Sequence, residues 1–74
     1  MENKHQETLT KIGLNILYYR KEKGYTQQQL AELTSYSKNY IQQIETAKTL
    51  SSVSVLLDIA KALEIPPAKL FEIK

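Results

Sequence analysis

Residues 26–45 read TQQQLAELTSYSKNYIQQIE, and this stretch constrains the fold most. Its apolar side chains are sparse and regularly spaced, its glutamines abundant, and one short polar break interrupts it. Thr26 with Gln29 three residues on has the spacing of a capping box, in which each side chain satisfies a free backbone N–H at a helix start. Leu30 and Leu33 are expected to face inward, with Ala31 between them, before TSYS breaks the segment. Ser37 caps the next helix through its hydroxyl. Ile41 and Ile44 then form a narrow buried edge, flanked by Tyr40. Two short helices across a break of about four residues form a helix-turn-helix pattern. Ala31 lies where they cross, and a larger side chain there would spread them.

The remaining chain continues in helical register. No Asn-Gly or Asp-Gly pair occurs, and no segment alternates with a period of two over strand length, so the fold is expected to be all-α. A first helix spans about residues 7–23 on a stripe of Leu9, Ile12, Ile16 and Tyr19. Gly13 sits beside that stripe, where a missing side chain lets another helix approach. The run RKEK followed by Gly24 suits the negative end of a helix and a left-handed stop. A further helix covers about 53–63, capped by Ser51 or Ser52. Val53, Leu56, Leu57, Ile59, Ala60 and Leu63 make it apolar over more than half its circumference, as in a central helix. Pro66 and Pro67 open a short last helix anchored by Leu70 and Phe71. Residues 1–8 read as a short polar segment and 9–74 as one domain, with no repeat or low-complexity tract.

Several classes of function find no support. The 74 residues hold no cysteine, which excludes disulfides and thiolate metal sites. His5, the one histidine, has no second ligand nearby, so no metal is expected. No Ser/His/Asp or Cys/His set, phosphate loop or carboxylate cluster is present, so neither an enzyme nor a cofactor is implied. No apolar run approaches the roughly 20 residues a bilayer requires, and the N-terminus has no signal-peptide core, so a cytoplasmic location is expected. The net charge of +2 permits an acidic polymer as partner without demanding one.

The outward positions of the helix after the break are Lys38, Asn39, Gln42 and Gln43. Asn and Gln can bond adenine in bidentate fashion, Lys can reach guanine O6 and N7, and a major groove of about 12 Å admits one helix. The opposing reading is a merely solvated helix. Between Thr26 and Glu45 the one basic residue is Lys38, against Glu32 and Glu45, so no polybasic groove exists. Phosphate attachment would lean on helix N-termini, Gln and Ser/Thr groups, and lysines such as Lys48.

From about Ile12 to Phe71 the chain resembles the phage repressor and Cro-like helix-turn-helix family, of the xenobiotic-response-element type. The resemblance lies in IGLNILYYRKEKGYTQQQLAELTSYSKNYIQQIE and LLDIAKALEIPPAKLF, through T-Q-x-x-L-A, S-x-x-x-I-x-x-I-E and L-x-x-I-A-x-A-L taken together. It implies a compact five-helix domain whose third helix enters the major groove of double-stranded DNA, in a transcriptional repressor or controller acting as a homodimer on a palindromic operator. It implies that Ser37, Lys38, Asn39 and Gln43 approach bases, with Gln42 close behind, and that Gln27, Thr46 and Lys48 meet phosphate. It pairs Arg20, near the inward face of the first helix, with Glu45 in a structural ion pair. Its usual dimer surface would draw on Leu50, Val55, Ile65 and Ile73. The chain departs from the family pattern at Ser35, Ala47 and Glu64, where glycine is frequent, and at Leu50-Ser51, where Asn-Pro is frequent. Serine at 35 costs about 1 kcal/mol if its φ is positive.

The aromatic residues are expected to be structural: Tyr19 and Tyr40 as half-buried spacers, Tyr25 over the first helix junction, Tyr36 packed over the second helix. Leu14, Leu17 and Tyr18 share a flank of the first helix away from its stripe, which suggests a partner surface. An antitoxin-like or partner-controlled interaction module is therefore the second reading, and a purely structural helical domain the third.

Overall fold

In the computed structural model, which describes residues 5–72, five helical elements follow one another and no strand occurs among the described residues. They are α1 (Gln6–Glu22), α2 (Gln27–Thr34), α3 (Lys38–Glu45), α4 (Val53–Ala62) and a 3-10 helix (Pro67–Phe71). The caps follow the sequence closely. Thr26 Oγ1 accepts from Gln29 N–H at 3.0 Å while Gln29 Oε1 accepts from Thr26 N–H at 2.8 Å, completing the capping box. Ser37 and Ser52 accept from the N–H groups of Tyr40 and Val55, so Ser52 is the cap of α4.

One ending is used four times. After each α-helix the chain passes through a left-handed residue: Gly24 (φ 79°), Ser35 (φ 65°), Ala47 (φ 58°) and Glu64 (φ 59°). The next N–H then reaches back to a carbonyl inside the helix, as Tyr25 to Arg20, Tyr36 to Ala31, Lys48 to Gln43 and Ile65 to Ala60, at 2.8–3.1 Å. This closure satisfies carbonyls that a helix end leaves free, and glycine adopts it without penalty. Ser35, Ala47 and Glu64 hold it at about 1–2 kcal/mol each. The left-handed turn thus forms at three positions that carry a side chain.

Ile16, Leu30, Ile41, Ile59, Leu63 and Leu70 are fully enclosed, so every helical element or its cap contributes to one core. Burying each such side chain stabilises the fold by about 1.5–3 kcal/mol. α3 packs on α1 and α2, whereas α4 packs on α2 and the 3-10 helix. Gly13 explains the closeness of α1 and α3. A Cβ at that position would stand 2.5 Å from the Glu45 carbonyl oxygen and 2.7 Å from that of Ile44. Asn15 Nδ2, on the neighbouring flank, donates to the carbonyls of Leu70 and Glu72 at 2.9 and 2.8 Å and ties the last turn to α1.

Four expectations need correction. The last helix is a 3-10 turn, not a fifth α-helix. Five residues opened by two prolines close Lys69 N–H onto Pro66 at 3.0 Å, and the backbone is extended again at Glu72. Leu33 is 55% exposed rather than inward. At 100° per residue it points roughly 110° from the mean direction of Leu30 and Ala31. Val53 and Leu57 are 67% and 47% exposed, so α4 is buried only along Leu56, Ile59 and Ala60. Phe71 is exposed beside the buried Leu70, which alone anchors the 3-10 helix. α1 also begins a little earlier than its stripe suggests, and Gln6 Nε2 donates to the Ala47 carbonyl at 3.3 Å.

Candidate nucleic-acid interface

Which side of α3 faces outward is settled by what lies behind it. Ile41, Ile44 and Glu45 are its buried residues. Lys38, Asn39 and Gln42 are exposed and Gln43 is half-buried. Asn39 and Gln43 stand one helical turn apart, in one row along the face away from Ile41 and Ile44. At the N-terminus the Ser37 hydroxyl accepts from Tyr40 N–H, which leaves its own hydrogen available to donate outward. The free N–H groups of the first turn add positive potential there.

Glu45 joins this helix to the others. Arg20 Nε donates to its Oε2 at 2.7 Å and Arg20 Nη2 to its Oε1 at 3.2 Å, a two-pronged pair between side chains 7% and 6% exposed by residue. Arg20 Nη1 donates to the Tyr25 carbonyl at 2.8 Å, so the same guanidinium holds the turn between α1 and α2. Glu45 Oε1 also accepts from Gln27 Nε2 at 3.0 Å. Its negative charge is therefore matched inside the molecule and is not presented to a polyanion. The Gln27 amide nitrogen keeps a second hydrogen, and the side chain is half-buried at the start of α2.

Beyond α3, Lys48 is exposed. The Thr46 hydroxyl donates to the Gln42 carbonyl at 2.8 Å, so its hydrogen is already engaged. Tyr25, Tyr19 and Tyr40 are half-buried against the core, and the Tyr40 ring meets Tyr36 edge-on. Tyr36 packs against the core, and its hydroxyl donates to Asp58 Oδ2 on α4 at 2.5 Å. Leu14 and Tyr18 are exposed and Leu17 half-buried, lining a shallow hollow with Lys21 and Glu22. Of the suggested dimer-surface residues, Leu50 is exposed, Val55 and Ile65 pack against the core, and Ile73 lies outside the described residues. The bonds from Gln27 to Glu45, from Tyr36 to Asp58 and from Asn15 to the C-terminal carbonyls have no sequence signal, since helical spacing carries no information across such separations.

The helix-turn-helix family model HTH_3 matches residues 16–70. The chain is 40% identical over 62 residues to the transcriptional regulator SlrR of Bacillus subtilis, covering 82% of this chain and 41% of SlrR. It is 39% identical over 56 residues to SinR of the same organism, covering 66% and 50%. It thus spans about half the length, or less, of these relatives. Among solved structures, the restriction-modification controller protein C.AhdI from Aeromonas hydrophila superposes with a TM-score of 0.88 at 32% identity, covering 93% of this chain and all of that one. SinR in complex with DNA gives 0.76 at 35% identity, covering 82% and 98%. The chain belongs to the HTH_3 helix-turn-helix family, the Cro/C1-type DNA-binding transcriptional regulators. Among the described residues, no helix is long and apolar enough to cross a membrane.

Proposed function

We propose that this chain reads a specific double-stranded DNA sequence through α3 and regulates transcription as a homodimer on a roughly palindromic operator. The observation that carries the reading is the face of α3, where Lys38, Asn39 and Gln42 stand in solvent while Ile41, Ile44 and the Arg20–Glu45 pair hold the other side. Lys38, Asn39, Gln42 and Gln43 address base edges, and Ser37 donates from the helix start. Gln27 offers its remaining amide hydrogen and Lys48 its charge to phosphates. Thr46 reaches phosphate by exchanging its bond to Gln42. Two recognition helices would enter successive major grooves about 34 Å apart.

For the pairing of two copies, support comes from α4. Val53 and Leu57, one turn apart, are apolar and exposed, and Leu50 in the preceding loop is exposed as well. Covering such side chains is the ordinary driving force for association. Selection of bound duplexes from a random pool tests the whole reading, since it reports base preference, half-site spacing and symmetry together. Recovery of unrelated duplexes with no shared half-site defeats it. Affinity should also fall with salt, with a log–log slope of about −0.9 per neutralised phosphate.

A second reading, control by a protein partner, draws on the exposed Leu14 and Tyr18 beside Leu17. Replacing Leu14 and Tyr18 with glutamate should leave operator affinity intact and abolish co-purification of any such partner. Loss of operator binding in a folded double variant counts against it.

A further inference from the structure

The turn of the helix-turn-helix carries a bond that belongs to none of the DNA contacts proposed above. Tyr36 is the middle residue between the Ser35 cap of α2 and the Ser37 cap of α3. Its N–H donates to the Ala31 carbonyl at 3.1 Å, and its ring lies edge-on to Tyr40 of α3, with centroids 5.4 Å apart at 72°. Its hydroxyl donates to Asp58 Oδ2, 22 positions along the chain. Among the described residues, this is the one side-chain hydrogen bond from residues 26–46 to α4.

The packing makes that bond informative. α3 rests on α1 and α2, and α4 rests on α2 and the 3-10 helix, which itself packs on α1, so the angle between α3 and α4 is otherwise set only indirectly, through α2 or through α1 and the 3-10 helix. Asp58 directly follows Leu57, whose exposed side chain belongs to the pairing face assigned above. A strut from the turn to Asp58 therefore connects the part that reads DNA with the part that would meet the second copy. The phenol remains a donor, because its hydrogen bond to the Asp58 carboxylate raises its pKa above the ordinary tyrosine value.

We propose that Tyr36 is a positioning residue that sets the angle of α3 against α4, and so the half-site spacing at which a dimer accepts DNA. The proposal rests on the dimeric reading, and its test separates the two. Duplexes carrying one half-site, two half-sites at the selected spacing, and two half-sites one base pair closer or further apart are titrated with wild type, Tyr36→Phe, Asp58→Asn and Asp58→Ala. Tyr36→Phe keeps the ring and its contact with Tyr40 while removing the donor.

The expected result is single-site affinity within twofold of wild type and a penalty for altered spacing that falls about fivefold, the worth of one net hydrogen bond. Asp58→Ala should match it. Asp58→Asn, which keeps an acceptor oxygen, should retain most of the selectivity. The Tyr36→Phe/Asp58→Ala double variant should be no worse than either single one. Equal losses on single and paired sites would make Tyr36 merely structural, and unchanged spacing selectivity in a folded Tyr36→Phe overturns the proposal alone. If Tyr36→Phe does not fold, the two Asp58 variants decide by the same comparison. A wild type indifferent to spacing sinks the dimeric reading, and this proposal with it.

Discussion

α3 and α4 are neighbours in sequence and opposites in chemistry. α3 buries Ile41, Ile44 and Glu45 and exposes lysine and amides; α4 buries Leu56, Ile59 and Ala60 and still leaves Val53 and Leu57 in solvent. Each helix uses about one face for the core and presents the other. An exposed face of amides matches hydrogen-bonding edges, and an exposed aliphatic face matches another apolar surface. In the proposed reading, DNA recognition and self-association fall on different faces of this single core.

The sharpest way to break the contrast is to release α3 from behind. Arg20→Ala leaves the Glu45 carboxylate buried without its cation, and the denaturation midpoint should record a loss of about 3–5 kcal/mol. An unchanged midpoint would mean that the ion pair does not anchor the helix. A smaller effect is expected on the outer face of α3. Replacing Lys38, Asn39 or Gln43 with alanine should relax preference at particular base pairs by about 1–3 kcal/mol each while leaving the fold intact. Lys48→Ala should instead weaken all sequences alike, which binding across a panel of mutated operators distinguishes. Uniform losses from all four variants would reject the division of roles.

On α4 the corresponding test is Leu57→Lys. It should shift sedimentation towards the monomer and cost affinity on paired half-sites, while single-site binding stays within about twofold, because no α4 side chain is assigned to DNA. Smallest are the loop effects on either side of the two helices. Ser35→Gly, Ala47→Gly and Glu64→Gly each remove left-handed strain and add flexibility to the unfolded chain, for a net gain of about 0.5–1 kcal/mol apiece. Thermal midpoints should rise in all three. For Glu64 the lost pair with Lys23 is solvent-exposed and contributes little.

Much of this arrangement is legible in the sequence. Thr26, Ser37 and one of two serines announced the helix starts, because capping is local chemistry between residues three apart. Ile41 and Ile44 announced the inner edge of α3, and with it the outer one. Apolar periodicity failed at Leu33, Val53, Leu57 and Phe71 for a common reason. It reports that a stripe exists but not whether another element covers its margin. The three left-handed residues were legible only as departures from a family pattern; the structure adds that the backbone keeps the glycine shape and bears the strain. Gln27 with Glu45, and Asn15 with the C-terminal carbonyls, were invisible, because such contacts belong to the packed whole.

Gly13 gives the arrangement a hidden point of vulnerability. Because the Ile44 and Glu45 carbonyls stand where its Cβ would be, even a single methyl group there would act as a wedge behind α3. A protein carrying Gly13→Ala could keep its helical spectrum and still miss its operator, with α3 aimed askew. A loss-of-function allele at a residue that touches no DNA would then be a fault of alignment rather than of contact.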